Sequence, residues 1–288
     1  MHRLAAFFCI VACFSVQALH LEAQSRSAID NAMSQMDSAF NAVEAEASQQ
    51  DAYYLGRAVA ANILSVYKPY TRNPELTRYL NRICQTIVIN SSQPELYNGY
   101  HVIILDSPEY NAFATPGGHI FITIKLIETA SSEDMLAAII AHEISHIILK
   151  HGLSIIDEMK IANEASSMAG QAAAFSGRNA NTDRFMQFRN SIAKSLDTLM
   201  KNGYSQTQEF DADRQAVELL VKSGYNPGAL VDVLKILQKS QSSQQGGFNS
   251  THPSPAERIS NAEKIRVRSP QDTRRFRIPR FKERFPAS

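Results

Sequence analysis

Residues 131–148 read SSEDMLAAIIAHEISHII, a pattern that predicts one continuous helix. Ser132 precedes the apolar run and is a favourable N-cap, so the helix is expected to begin there. The helical pattern continues to about Lys150, and we expect His151-Gly152 to end it with a C-terminal glycine. The same segment contains candidate metal-binding and catalytic residues.

Two histidines in this helix have the spacing of metal ligands. His142 and His146 are four residues apart, so their imidazoles lie on one helix face and can reach a single ion. Glu143 follows the first histidine and can point at a metal-bound water as a general base. Burying two imidazoles and a carboxylate together without a metal is costly. The segment therefore predicts one catalytic Zn²⁺ per chain.

An acidic segment later in the chain offers a third zinc ligand. Residues 208–213 read QEFDAD and open another predicted helix, on which Glu209 and Asp213 share a face. A catalytic zinc needs three protein ligands and an open position, and Glu209 suits the third ligand. Asp213 would then accept a hydrogen bond from the far nitrogen of a ligating histidine. Taken alone, the segment could instead be an acidic first turn that complements the helix dipole.

The remaining patterns predict an α+β, mostly helical domain with a small β-sheet over the histidine helix. Asn73-Pro74 is typical of a helix start. Short apolar runs around the turn at 116–118 predict a pair of strands, and a third run precedes them. The predicted strands are residues 101–105, 111–114 and 119–123, and the predicted later helices are residues 207–222 and 226–240.

These motifs together resemble a known family. HEISHIILKH at 142–151, EFDAD at 209–213, and Thr251-His252-Pro253-Ser254-Pro255 with Arg258 follow one another as in the gluzincin zinc metallopeptidases of the BepA, LoiP and HtpX type. The segment Asn111 to Gly118 before the histidine helix is also similar. The resemblance covers roughly residues 52–263 and implies a zincin-like fold.

The resemblance also implies roles for particular residues. His142, His146 and Glu209 would be the zinc ligands, and Glu143 the base. A substrate peptide would lie along a strand edge formed by Asn111, Ala112, Phe113, Ala114, Gly117 and Gly118. The soluble periplasmic members carry a C-terminal helical-repeat domain, for which we expect no counterpart here, so substrate delivery stays open.

Three further residues near the motifs have alternative interpretations. His252 lies between a Gly- and Ser-rich run and a Pro-Ser-Pro segment, and in the family this histidine faces the metal. It could donate to the oxyanion, occupy the open zinc position as a latch, or be a turn residue. Arg258 could pair with Asp213 or Glu209, or be solvated. His151 is expected on another helix face, as a charge at the helix C-terminus.

The first residues predict export from the cytoplasm. Leu4 to Val16 is an apolar run, followed by cleavage sites at Val16-Gln17-Ala18 and Leu21-Glu22-Ala23. The run is shorter than the about 20 residues of a membrane span. Ile10-Val11-Ala12-Cys13 resembles a bacterial lipoprotein box, which leaves open a lipid on Cys13. The mature protein is thus expected in the periplasm, soluble or held by that lipid.

We divide the chain into a signal peptide (1–24), a zinc metallopeptidase domain (25–265) and a basic C-terminal tail (266–288). From Arg258 to Ser288 there are ten Lys or Arg against three Asp or Glu. We expect a solvated tail, with an acidic partner or anionic lipid headgroups as the alternative. Residues 160–201 carry charged and amide side chains throughout, so no transmembrane span is expected in the mature chain.

The predicted function is hydrolysis of peptide bonds in misfolded or envelope proteins. The partners would be a protein or peptide substrate and an envelope or outer-membrane assembly factor. A formal net charge of +1 argues against binding nucleic acid. The alternative is a latent or chaperone-like zincin-fold protein that binds substrates and cleaves little. A structural zinc protein is disfavoured, because the set has three ligands, a well-placed glutamate and no thiolates.

Overall fold

The computed structural model describes residue 49 and residues 52–154, 203–240, 252, 255–265 and 274–285. The signal peptide, the lipoprotein-type cysteine and the segment at 160–201 lie outside these residues. The helices of the described part are α1 (residues 52–66), α2 (Pro74–Val88), α3 (Ile124–Glu128), α4 (Glu133–Ile148), a short helical segment at 151–154, α5 (Gln206–Lys222), α6 (Ala229–Ser240), α7 (Pro255–Ala262) and α8 (Arg274–Arg284).

The sheet has three short strands, β1 (His101–Leu105), β2 (Ala112–Ala114) and β3 (His119–Thr123), in the order β1-β3-β2. β1 runs parallel to β3, and β2 runs antiparallel to it. Gly117 and Gly118 in the β2–β3 turn have φ angles of 85° and 98°, which side chains rarely tolerate. The predicted strand pair around this turn is therefore confirmed.

Helices cover both faces of the sheet. In β3, Ile120 and Ile122 belong to the hydrophobic cluster that includes α2 and α4, whereas Phe121 packs with α1. Alternate side chains of a strand point to opposite faces, so the two layers meet the sheet from opposite sides. A methyl group at Gly56 of α1 would fall 1.4 Å from the Pro116 carbonyl oxygen, so α1 lies directly against the β2–β3 turn.

α4 is the central helix of the domain. Every residue from Glu133 to Ile147 is buried, because α2, α5, α6 and the sheet pack around it. The Ser132 hydroxyl accepts a hydrogen bond from the Met135 amide at 3.3 Å, so the predicted N-cap is confirmed. The α+β, mostly helical fold class is confirmed as well. None of the helices in the described part of the chain has both the length and the hydrophobicity of a membrane span.

The end of α4 differs from the prediction. The helix ends at Ile148, and Lys150 has a left-handed φ of 56°, so a lysine supplies the break expected from glycine. The chain becomes helical again at residues 151–154, whose amides at 153 and 154 donate to the Lys150 carbonyl. Gly152 allows a close approach instead, since a methyl group there would lie 3.2 Å from the Pro116 ring. The break turns His151 back toward α4.

The C-terminal tail also differs from the prediction. α8 packs against the first turn of α4, with Phe281 buried in the main core. Arg277 pairs with Asp134 at 2.8 Å, and Arg280 pairs with the fully buried Glu133. Carboxylates in the core require a partner charge, and α8 provides it. A solvated tail is therefore wrong for α8.

Candidate metal centre

Four buried side chains converge between α4, α5 and the segment before α7. They are His142, His146, Glu209 and His252, each at most 3% exposed. Each offers one ligand atom, and these atoms all lie within 4.8 Å of one another. Imidazole nitrogens and a carboxylate oxygen are a donor set that zinc accepts in proteins. The cluster could therefore hold a metal ion.

The spacing of three of these groups is close to that of ligands around one zinc ion. The Nε2 atoms of His142 and His146 are 3.1 Å apart. One carboxylate oxygen of Glu209 lies 3.4 Å from His142 Nε2, and the other lies 3.4 Å from His146 Nε2. Ligands at about 2.0–2.1 Å from a tetrahedral zinc are about 3.3 Å from one another. The residues present therefore fit this metal.

His252 lies at the fourth corner of the same cluster. Its Nδ1 is 2.7 Å from a Glu209 carboxylate oxygen and 3.4 Å from His142 Nε2. A catalytic zinc keeps one position for water or substrate, and His252 is close enough to compete for it. Of the alternatives open from the sequence, a role at the candidate metal site is the one that these contacts support, whether as an oxyanion donor or as a latch.

Glu143 is buried beside the cluster. The residue is 0% exposed, and neither carboxylate oxygen has a hydrogen-bond partner among the residues that the structure describes. Its approach to a ring nitrogen of His252 is 3.8 Å, beyond hydrogen-bond range. Burial raises the pKa of this carboxyl. A buried, unpartnered carboxylate with a raised pKa has the properties of a proton acceptor for a group bound in the cluster.

Charged residues surround His142. Asp213 Oδ1 lies 3.0 Å from His142 Nδ1, the nitrogen that faces away from the cluster. Arg258, only 2% exposed, pairs with Asp213 at 2.6 Å and with Glu209 at 2.8 Å. Of the alternatives for this arginine, solvation is therefore wrong, and it pairs with both carboxylates. α7 thereby links Glu209 and Asp213 of α5.

These charges decide the protonation of the group. Burial and the Arg258 charge lower the pKa of His142, but Asp213 and Glu209 outweigh them and raise it to about 9. Burial alone would raise the pKa of Glu209, yet His252 and Arg258 bring it well below its usual range. Burial would likewise raise the pKa of Asp213, and Arg258 reverses the shift. Both carboxyls are ionised, so two buried negative charges are held close to the metal-binding atoms.

Two neutral rings contact His146 on its face and at its Nδ1 edge. Tyr204 stacks on its imidazole, with ring centroids 4.0 Å apart and planes 17° apart. The Nδ1 atom of His146 lies 2.9 Å from Nδ1 of His151, which is itself buried. Burial lowers the pKa of both imidazoles, that of His146 far below its usual value. The expectation that His151 points to another helix face is wrong, because the left-handed Lys150 redirects the chain.

Sequence reasoning missed Tyr204. It immediately precedes Ser205, which caps α5 in a capping box with Gln208. An apolar residue before an N-cap commonly packs against the first turn of its helix, and this was the available signal. The neighbour it packs on comes from α4, which no local pattern in the sequence could show.

The predicted peptide-binding edge is covered. β2 is an edge strand, yet Asn111, Ala112, Phe113 and Ala114 are buried, as are Gly117 and Gly118 of the adjoining turn. α1 covers the turn, and Phe113 packs with α1 side chains. A peptide could pair with this edge only after the groups that bury it move.

The family is decided by the match of the chain to the peptidase family M48 sequence model, which covers residues 74–266. The chain belongs to peptidase family M48. The matched region contains α4 with its two histidines, Glu209 and His252, and it ends before α8. The cluster of candidate metal ligands described above is therefore part of the shared domain.

Curated relatives agree with this assignment. The chain is 26% identical over 203 residues to the beta-barrel assembly-enhancing protease of Escherichia coli K12, covering 67% of this chain and 39% of that protein. It is 26% identical over 201 residues to the metalloprotease LoiP of the same organism, covering 69% and 73%. It is 27% identical over 190 residues to the mitochondrial metalloendopeptidase OMA1 of Schizosaccharomyces pombe, covering 65% and 52%. The match thus spans about two fifths of the first of these proteins.

Proposed function

We propose that the protein is a zinc-dependent endopeptidase that hydrolyses peptide bonds in other proteins. The observation that carries the proposal is the convergence of His142, His146 and Glu209 beside the carboxylate of Glu143, which has no hydrogen-bond partner in the described part of the chain. Membership of family M48 and the similarity to named metalloproteases support it. One zinc ion per chain would be held by the two Nε2 atoms and the Glu209 carboxylate.

The remaining chemistry belongs to the side chains around this site. Bound zinc would supply a Lewis acid that polarises the substrate carbonyl and lowers the pKa of the attacking water from about 15.7 to about 7. Glu143 would accept the proton of that water and deliver it to the leaving amine. Its raised pKa suits both steps, since the group must take up a proton and also return it.

Replacement of Glu143 by glutamine tests the proposal most simply. We expect Glu143→Gln to retain its zinc and to lose proteolysis of an unfolded protein, because Glu143 is a base and not a ligand. Glu218→Gln is the matched control, since the same change on the exposed face of α5 should leave both properties intact. Full proteolytic activity in Glu143→Gln would show that the base is another group.

We propose further that His252 holds the resting enzyme in a latent state. Its contacts with Glu209 and His142 support the proposal, as does the burial of the β2 edge. In this state the protein would bind substrates and cleave them slowly. A chaperone-like protein that binds substrates without cleaving them would be the extreme case of the same latency. When His252 leaves, the same ring could donate to the oxyanion, a contribution of about 3–4 kcal/mol.

Substitution of His252 separates the two roles. His252→Ala should raise basal cleavage if the latch dominates, and it should lower kcat with zinc retained if oxyanion donation dominates. We predict the rise, measured on a fluorogenic peptide with and without a chelator. A kcat and a zinc affinity that both remain unchanged would contradict both roles.

The place of action is proposed to be the bacterial cell envelope. The apolar run at 4–16 and the similarity to a beta-barrel assembly-enhancing protease support export, with misfolded or envelope proteins as substrates and an outer-membrane assembly factor as partner. Mass spectrometry of the mature N-terminus should find a chain that begins after the signal, either unmodified or with a lipid on Cys13. A native chain that still begins at Met1 would overturn this location.

A further inference from the structure

The His146 ring is held on its face by one residue and met at its edge by another. Tyr204 lies parallel to the ring at 4.0 Å, and His151 Nδ1 is 2.9 Å from His146 Nδ1. The opposite edge of the ring carries Nε2, which faces His142 and Glu209. The three contacts thus address different parts of one imidazole.

Stacking alone cannot decide which edge of the ring faces the metal. A half-turn about the Cβ–Cγ bond leaves the ring in the same plane, so the stack with Tyr204 would survive it. The same half-turn would exchange nitrogen and carbon atoms on both edges of the ring. Only a contact that distinguishes nitrogen from carbon can select the orientation, and the hydrogen bond to His151 is such a contact.

The hydrogen bond also selects the tautomer. An imidazole that binds a metal through Nε2 carries its proton on Nδ1 and donates it to an outer partner. His151 Nδ1 can accept that proton if the proton of its own neutral ring is on Nε2. The two rings would then form a directed chain in which His146 donates and His151 accepts.

We infer that His151 is the positioning residue of His146, acting as a neutral hydrogen-bond acceptor that aims Nε2 at the metal. The inference rests on the proposed function in one respect, namely that His146 binds a metal. Hydrogen bonds fix the position of the segment that carries His151. Ser154 donates to the His151 carbonyl at 2.8 Å, and Gln208 of α5 donates to the Ser154 hydroxyl at 3.1 Å.

Two substitutions at position 151 test the inference in the full chain. His151→Leu fills the site without an acceptor, and we expect zinc affinity to fall about 10–100-fold in chelator competition. His151→Asn places a carbonyl oxygen close to the position of Nδ1 and should recover most of the affinity. His101→Leu is the matched control, since His101 is exposed on β1. Thermal unfolding of the metal-free variants checks that each is folded.

The absorption spectrum of the cobalt-substituted protein provides a readout that packing alone would not change. We expect His151→Leu to shift or broaden the cobalt bands and His151→Asn to keep those of the parent protein. Unchanged affinity and spectrum in His151→Leu would overturn the inference, and so would an equal loss in both variants. Because these readouts need no cleavage, a protein that binds metal in this way but hydrolyses no peptide would refute only the proposed function.

Discussion

The two histidines of α4 face one candidate metal position and are held there by opposite means. The far nitrogen of His142 meets an ion pair formed by α5 and α7, and its pKa is raised to about 9 despite burial. The far nitrogen of His146 meets another imidazole, an aromatic ring covers its face, and burial lowers its pKa far below the usual value. Neighbouring ligands can therefore be oriented by charge on one side and by ring geometry on the other.

The difference concerns stability as well as orientation. The charged side keeps two carboxylates and a guanidinium out of water, so each depends on the others for its solvation. The neutral side, formed by Tyr204 and His151, buries no charged side chain. It holds His146 by ring stacking and by one hydrogen bond. Substitutions on the charged side should therefore damage the fold, whereas those on the neutral side should affect mainly the metal.

Arg258→Met should have the largest effect. It leaves Glu209 and Asp213 buried without the charge of Arg258, and we expect a loss of about 3–5 kcal/mol in the free energy of unfolding. Urea unfolding of the metal-free protein measures it. Arg214→Met is the control, because Arg214 pairs with Asp211 at the surface and should cost no more than about 1 kcal/mol. Similar costs for the two would show that the charged side has no special part in stability.

Replacement by asparagine should distinguish the charged side at His142 from the neutral side at His146, with an effect of intermediate size. Asp213→Asn keeps an acceptor for His142 but removes the negative charge that pairs with Arg258 and holds His142 in place. Because this partner orients a metal ligand, zinc affinity should fall at least about tenfold. His151→Asn keeps an acceptor where no charge is required, so affinity should change little. Chelator competition measures both variants under one set of conditions. Equal affinities in the two variants would remove the distinction between charge and geometry.

Tyr204 should show the smallest effect. Tyr204→Phe retains the stack on His146 and should leave zinc affinity unchanged, while Tyr204→Leu loses the aromatic pair, worth about 0.5–1.5 kcal/mol. The Leu variant should therefore bind zinc a few-fold more weakly in the same competition. A loss as large as that of Asp213→Asn would mean that the ring does more than orient the imidazole.

Local patterns in the sequence predicted the elements that carry the site. Helical spacing places His142 and His146 on one face, and the i, i+4 relation places Glu209 and Asp213 together, so proximity within each helix needs no tertiary information. The N-cap at Ser132 and the strands around the 116–118 turn are confirmed for the same reason. The structure then brings the two helices against each other, so that these side chains converge as the proposed shared ion would require.

What the sequence did not predict depends on contacts between distant segments or on rare backbone angles. His151 was placed on the wrong face because a lysine rather than a glycine adopts the left-handed conformation. α8 was expected to be solvated because its basic composition does not reveal Glu133 and Asp134, which resemble an ordinary acidic first turn of α4. The cover over Phe113 and the β2–β3 turn likewise arises from α1, far away in the chain.

Anomalous diffraction from crystals of the purified protein, collected at the zinc absorption edge, tests the central claim most directly. We predict one zinc site per chain, about 2.0–2.1 Å from Nε2 of His142, Nε2 of His146 and a carboxylate oxygen of Glu209. Glu143 should lie outside the ligand set, and Glu209→Ala should abolish the peak. A zinc ion bound by other residues, or an unchanged peak in Glu209→Ala, would contradict the account.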